Sequence, residues 1–188
     1  MRAEVVLVRH ARSTPPRPGG RNERLRSLTT EGLAQAEHLA AHLAELAPSL
    51  IVSSPYLRAV QTVEPLARKL GMPVRTSNEL REWDSGIVPT PDSARHHAES
   101  WANPHAARPG AESLHQLTSR ATAALTSLAR GHQDELIVVG SHGTFISRAL
   151  VGFGVDTVDH SFAKTMPTPT IYRLRFTGRG VEIIGPGL

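Results

Sequence analysis

Residues 5–8, Val-Val-Leu-Val, are a continuous apolar run with three β-branched side chains, which predicts a strand buried on both faces. The run breaks at Arg9-His10. Residues 11–28 contain three prolines, two adjacent glycines and five arginines, and predict a loop. Apolar positions then recur at helical spacing over 30–46, with Leu33, Ala36, Leu39, Ala40 and Leu43 on one face, Thr29 or Thr30 as N-cap and Pro48 as the stop. Residues 50–52 predict a second short strand, followed by Ser53-Ser54-Pro55. Ser54 as N-cap and Pro55 at the first helical position predict a helix through 70, kinked or broken at Pro65 and closed by Gly71.

The middle of the chain is less regular. Residues 74–76 predict a brief strand. Residues 86–110 carry four prolines and three histidines and predict a cap or lid, with a short helix near 93–101. A helix follows over 112–130, its stripe formed by Leu114, Leu117, Ala121, Ala124, Leu125 and Leu128, with Gly131 as C-terminal cap. Residues 135–139 predict a third buried strand, ending at Gly140-Ser141-His142-Gly143, and 144–151 a further helix. Residues 170–176 and 181–184 predict a closing antiparallel hairpin through Gly178. This alternation predicts one α/β domain over 1–188, a three-layer sandwich whose mostly parallel central sheet has helices on both faces, with a cap insertion at about 86–110. There is no internal repeat, and neither the dinucleotide nor the P-loop glycine signature is present.

Composition narrows the function. At 188 residues, 39% hydrophobic and 20% charged, the chain is long and apolar enough for a sizeable core. The absence of cysteine excludes a disulfide scaffold, a zinc knuckle and a catalytic thiol. Apolar runs are far below membrane-spanning length, and the four-residue run near the N-terminus is too short for a signal peptide, so a cytoplasmic location with no membrane partner is expected. Of the formal +4 charge, most sits at one end: residues 1–26 hold seven arginines against two glutamates. Nucleic acid is a candidate partner for such a segment, but with aromatic residues at 4% there are few stacking platforms, and none is expected. His38 and His42 have a metal-like spacing, but Leu39 stands where the zinc-protease pattern needs glutamate, and they read as boundary or surface residues.

Three predicted strands end in polar clusters: Arg9-His10, Ser53-Ser54 leading to Arg58, and Ser141-His142. In open α/β sheets ligands bind outside the carboxyl ends of the strands. Arg58 would lie in the first turn of its helix, where free N–H groups also favour an anion. Two arginines, two histidines and a helix terminus make a phosphate site, because guanidinium groups match phosphate oxygens with several donors at once. A histidine beside such cations has its pKa pushed down and stays a nucleophile near neutral pH.

These residues carry a resemblance. Val8-Arg9-His10-Ala11-Arg12-Ser13 resembles the R-H-G signature of the histidine phosphatase superfamily, also called phosphoglycerate mutase-like. Leu28-Thr29-Thr30-Glu31-Gly32 through Gln35-Ala36 resembles its L-T-x-x-G-x-x-Q-A segment. Ser53-Ser54-Pro55-Tyr56-Leu57-Arg58-Ala59-Val60-Gln61-Thr62 is similar to its S-S-x-x-x-R-A-x-Q-T block. Leu80-Arg81-Glu82 through Gly86 resembles its L-x-E-x-x-x-G block, and Val139-Gly140-Ser141-His142-Gly143 its V-x-S-H-G block. The five motifs span nearly the whole chain in the family's order.

The resemblance implies His10 as nucleophile, with Arg9, Arg58 and His142 on the phosphoryl oxygens. It further implies Glu82 as the acid that protonates the leaving oxygen and then activates water, with Glu79 and Asp84 as neighbouring alternatives, and Ser13 as a phosphate hydrogen-bond donor. No metal or other cofactor is implied. Two positions depart from the pattern: Ala11 replaces a glycine, and Pro16 replaces a phosphate-binding asparagine, whose contact would be either missing or supplied from elsewhere, with Asn22 and Arg21 as candidates. Arg17, Arg21, Arg24 and Arg26 would sit on a loop over the pocket and draw in anions. Trp83 and Trp101 would either flank the pocket mouth or pack under a loop. The expected activity is hydrolysis of a small phosphomonoester. A phosphomutase, a phosphohistidine-protein phosphatase and a non-catalytic phospholigand-binding module are the alternatives. Only Gly185 to Leu188 follow the hairpin, too little to shield an intermediate from water, which favours hydrolysis over the mutase.

Overall fold

A computed structural model describes residues 2–16 and 23–188. Its centre is a six-stranded sheet of β1 (Ala3–Arg9), β2 (Leu50–Ser53), β3 (Val74–Thr76), β4 (Leu136–Ser141), β5 (Thr170–Thr177) and β6 (Gly180–Ile184). The spatial order is β3-β2-β4-β1-β5-β6. The first four strands run parallel, whereas β5 is antiparallel to both β1 and β6. The expected hairpin therefore does more than close the sheet: β5 completes the second side of β1 and so buries that strand's backbone.

Period-two alternation builds the layers. On β1, Val5 and Leu7 join one core with Val52, Val139, Tyr172 and Leu174, while Val6 and Val8 join the other with Ile51 and Val138. The first core is covered by α4 (Leu114–Gly131) and α5 (Gly143–Gly152), which supply Leu117, Leu125, Phe145 and Leu150. The second is covered by α1 (Thr30–Glu45) and α2 (Leu57–Leu70) through Leu43, Val63 and Leu66. The predicted sandwich of helices on both faces of a mostly parallel sheet is what forms. Two short helices, α3 (Ser93–Ala102) and α6 (His160–Thr165), lie outside these layers. No helix among the described residues is long and apolar enough to cross a membrane.

Several local expectations change. Thr29 caps α1 through its hydroxyl as predicted, but Leu33 is exposed and Gly32 is buried in its place. The cause is close approach: a Cβ on Gly32 would lie 1.9 Å from the Arg12 carbonyl oxygen, so the first turn of α1 is pressed onto the segment after His10. Ser54 is not the N-cap of α2; that position is Tyr56, whose N–H donates to the Ser54 hydroxyl, which also lies against His142. Pro65 does not interrupt α2. Its ring removes one backbone bond, and the buried residues on either side of it hold the helix against the sheet. Gly71, at φ 65°, closes α2 as predicted, whereas Gly131 is the last residue of α4 and His132 its cap. The six-residue α6 was too short to leave a periodic signal; Asp159 caps it by accepting from the Phe162 N–H at 2.8 Å.

Candidate active site

The strand register brings the three polar clusters together. β4 lies between β1 and β2, pairing Ser141 with Arg9 and Gly140 with Ser53. The pairing continues one residue past the strands, where the His10 N–H donates to the Ser141 carbonyl and the Ser54 N–H to the Gly140 carbonyl. His10, Ser54 and His142 thus leave the same edge of the sheet side by side. The His10 and His142 rings stand 5.3 Å apart, edge to face.

Hydrogen bonds set the protonation of His10. Its Nδ1 is 2.8 Å from the Ala11 carbonyl oxygen, which can only accept, so Nδ1 carries the proton. Nε2 then presents its lone pair, and the Arg58 Nε donates to it over 3.2 Å. Burial, with the charges of Arg58, Arg9 and Arg26, pushes the His10 pKa down to about 3, against the opposing hydrogen bond to Ala11. The loop is fixed from below, where the Ala11 N–H donates to Thr62 on α2 at 2.9 Å and Thr62 donates to the Arg58 carbonyl.

His142 is fully buried. The Ser54 hydroxyl accepts from the Tyr56 N–H and lies 2.7 Å from His142 Nε2. Because the hydroxyl already accepts from Tyr56 and has no other acceptor for its own proton among the described residues, we assign it as donor to Nε2, which puts the proton of His142 on Nδ1. Burial, and after it the positive charge of Arg58, holds His142 well below the ordinary histidine range. Arg9 reaches over the first turn of α5, its guanidinium 3.1 Å from where a Cβ on Gly143 would stand, and donates to the Met166 carbonyl. Among the described residues, Arg9 Nε and His142 Nδ1 are the buried side-chain nitrogens without a hydrogen-bond partner. Orphaned buried donors cost about 1–3 kcal/mol each, so a ligand that accepts from them is favoured.

Arg58 is 1% exposed and stacks over the Tyr56 ring at 5.0 Å. Burial and the neighbouring Arg26 lower its pKa to about 10, with Glu82 and Glu23 opposing. Glu23 supplies an ion pair at 3.3 Å and a backbone acceptor at 2.9 Å.

Glu82 comes from the turn before residue 86. Its Oε1 accepts from the Trp83 and Phe145 N–H groups at 2.9 and 3.1 Å, and its Oε2 has one longer contact to the Thr144 N–H at 3.4 Å. The carboxylate therefore sits on the N-terminus of α5, the helix that His142 caps, where the dipole favours an anion. Of the two neighbouring carboxylates, Glu79 is exposed and outside the cavity lining, whereas Asp84 is exposed and lines the cavity. A cavity of about 1200 Å³ opens over Arg9, His10, Arg58 and Glu82, with Trp83 and His97 also among its lining residues. Trp83 combines both expected roles: it is buried, donates to the Glu112 carbonyl at 2.7 Å and lines the cavity. Trp101 packs instead against Arg148 and His160.

Ser13 lines the same cavity, where its hydroxyl accepts from Arg26 Nη1 at 2.7 Å. Arg26 is tied down, donating also to the Thr14 carbonyl and to Glu23. Arg24 lies over the Tyr56 ring, 5.9 Å from its centre. Arg17, Arg21 and Asn22 lie outside the described residues. His38 and His42 are exposed on α1 with rings 4.9 Å apart. No group of three or more histidine, aspartate or glutamate side chains among the described residues is placed to hold a metal.

Sequence reasoning missed the supports. Arg120 on α4 forms a two-point ion pair with Glu112 and donates to the backbone carbonyls of Glu79, Arg81 and Glu82. It clamps the turn that presents Glu82. The sequence signal was a charged residue on the border of the apolar stripe, three positions after Leu117 and four before Ala124, a place that many solvated arginines share.

Comparison with known proteins agrees with the geometry. The family model for the histidine phosphatase superfamily (branch 1) matches residues 5–186. A probable phosphoglycerate mutase GpmB from Salmonella paratyphi C is 29% identical over 151 residues, covering 74% of this chain and 69% of that one. Among solved structures, YhfR of Bacillus stearothermophilus superposes with a TM-score of 0.81 at 20% identity, covering 98% of this chain and 96% of its own. A phosphoserine phosphatase variant from Entamoeba histolytica, in complex with phosphoserine, gives 0.79 at 17% identity over 98% and 97% of the two chains. A mycobacterial glucosyl-3-phosphoglycerate phosphatase gives 0.76 at 20% identity over 99% and 98%. With its motifs meeting at one sheet edge and the family pattern running almost end to end, the chain belongs to the histidine phosphatase superfamily.

Proposed function

We propose that the protein is a phosphomonoesterase that hydrolyses a small phosphorylated metabolite through a phosphohistidine on His10. The observation that carries this reading is the tautomer of His10: Nδ1–H is committed to the Ala11 carbonyl, and the Nε2 lone pair points to the guanidinium of Arg58. The orphaned nitrogens of Arg9 and His142 supply donors for the phosphoryl oxygens, together with Arg58 and the hydroxyl proton of Ser13.

In the first step Nε2 attacks phosphorus, the bond to the leaving oxygen breaks, and that oxygen takes a proton from the Glu82 carboxyl. Oε2, with its single long contact, is the oxygen suited to exchange this proton. In the second step the Glu82 carboxylate takes a proton from water, the hydroxide attacks phosphorus, and the bond to Nε2 breaks to return free His10 and inorganic phosphate. The charge that develops on the equatorial oxygens is met by donors already in place.

We read residues 86–110 as a cap inserted into a single domain. Ile87, Val88, Pro89, Ser93 and His97 from this stretch line the cavity, and α3 buries none of its residues. The mutase reading is favoured by the name of the Salmonella relative. Hydrolysis is favoured by the partial exposure of Glu82, which leaves water a route to the residue that would activate it.

Incubation with p-nitrophenyl phosphate and EDTA tests the proposal. Turnover by the wild type and its loss in His10→Ala are expected, and full activity in His10→Ala overturns it. Transfer of the phosphoryl group to a second glycerate phosphate in preference to water would select the mutase.

A further inference from the structure

Pro16 stands where the family pattern has a phosphate-binding asparagine, and proline has no side-chain donor to offer. Within the same cavity a different donor is already placed. Arg26 lines it, with a side chain only 18% exposed, and its Nη1 donates to both the Ser13 hydroxyl and the Thr14 carbonyl, at 2.7 and 2.6 Å. The guanidinium is thus fixed against the segment that carries Ser13 and leads to Pro16.

The remaining nitrogens of Arg26 hold an anion. Glu23 Oε1 accepts from Arg26 Nε at 3.0 Å and from Nη2 at 2.5 Å, and the same oxygen lies 3.3 Å from Arg58 Nη2. One carboxylate oxygen therefore bridges two guanidinium groups, and the Nε of the second donates to His10 Nε2. This is the arrangement that a phosphoryl oxygen beside the nucleophile would need. Glu23 itself is half exposed, so its carboxylate can be released to water at small cost, whereas the two arginines cannot leave.

We infer that Arg26 is a third phosphoryl-binding arginine, which supplies the hydrogen-bond donor that Pro16 lacks, and that Glu23 is a resident anion on Arg26 and Arg58 that the phosphoryl group of the substrate displaces. The inference rests on the reading of this cavity as a phosphoryl site. A substrate dianion and the Glu23 carboxylate repel one another, so they do not share the two cations. Binding of a phosphomonoester exchanges one anion for the other, and Arg26 keeps its anchor on Ser13 and Thr14 through Nη1 while Nε and Nη2 turn over to the ligand. The charge of Arg26 is felt at the site, where it contributes to the lowered pKa values of His10, Arg58 and His142.

Calorimetric titration with inorganic phosphate tests this without requiring turnover. Arg26→Gln is expected to weaken phosphate binding by about tenfold or more, and Arg26→Lys to recover part of the loss, since a point charge replaces a planar fork. Glu23→Gln is expected to tighten phosphate binding by about threefold or more, because the competing anion is gone. A purely architectural Arg26 predicts the opposite sign for Glu23→Gln, which would loosen the arginine and weaken binding. The inference is overturned if Arg26→Gln binds phosphate within about twofold of the wild type, or if Glu23→Gln leaves affinity unchanged or lower. Should Arg26→Gln fail to fold, the direction of the Glu23→Gln change decides. A wild type that binds no phosphate overturns the phosphoryl-site reading together with the inference. A wild type that binds it, with variants that do not differ, overturns the inference alone.

Discussion

Arg58 donates from its Nε to the Nε2 of His10 over 3.2 Å, across 48 positions of sequence. A buried cation thus holds the lone pair of a buried imidazole, and proton binding at that nitrogen would place two positive charges side by side with little exposure of either to solvent.

The pH dependence of stability follows. The folded pKa of His10 is about 3, against 6.5 for the unfolded chain. A depressed histidine contributes its full stability above the unfolded value and loses it as pH falls towards the folded one. Across that window the unfolded chain holds one more proton at this position, at a cost of about 1.4 kcal/mol per pH unit. His142 acts in the same direction. Denaturant melts of wild type and His10→Gln between neutral and mildly acidic pH should show a shallower loss in the variant. Equal slopes would contradict the burial of His10 as a neutral ring. Activity should likewise show no acid limb near 6.5 from this residue.

The carboxylates at 79 and 82 are separable by experiment. Glu82→Gln should slow alkyl phosphates by about 10²–10⁴-fold, while phosphohistidine formation from p-nitrophenyl phosphate, whose leaving group needs no proton, should persist as a burst of nitrophenolate ahead of slowed hydrolysis. Glu79 is exposed and only its backbone carbonyl is engaged, so Glu79→Gln should stay near wild type. The reverse pattern would move the acid from Glu82 to Glu79.

Removing Arg120 should cost both stability and rate. Its pair with Glu112 is only 8% and 11% exposed, and loss of one partner leaves a buried charge, about 3 kcal/mol. Arg120→Met should therefore lower the melting temperature and also kcat, since the clamped carbonyls position Glu82. A variant with lowered melting temperature and unchanged kcat would leave Arg120 a structural role alone.

Gly143→Ala probes Arg9. The added methyl would stand 3.1 Å from the guanidinium, tighter than ordinary contact, and the far end of Arg9 is the part able to shift. KM should rise several-fold with little change in melting temperature, roughly within 0.5 kcal/mol of wild-type stability. Steady-state kinetics beside a thermal melt would separate this from a general loss of folding.

Much of the fold was readable from local pattern. The apolar runs at 5–8, 50–52 and 135–139 and the stripe of α4 are periodic signals, and each element forms where its periodicity lies. Leu33 and Ser54 show where such signals stop. Helical spacing placed Leu33 on the inner face, but the backbone of Arg12 presses on Gly32 and turns Leu33 outward. Ser54 has the local chemistry of a helix cap and does accept the Tyr56 N–H, but α2 starts later, at Leu57, and a histidine 88 positions along the chain shares the hydroxyl.

The sequence by itself determined the alternation of strands and helices, and it determined the polar residues that end three strands, because both are written in neighbouring side chains. Only the tertiary structure decided that β4 lies between β1 and β2, which brings Arg9, Ser54 and His142 to one edge. It alone decided the tautomer of His10, the clamp of Arg120 on the Glu82 turn, and the carboxylate of Glu23 between two arginines. These depend on distances between residues far apart in the chain. Such distances are set by how the two cores pack on the faces of the sheet, and no local pattern carries them.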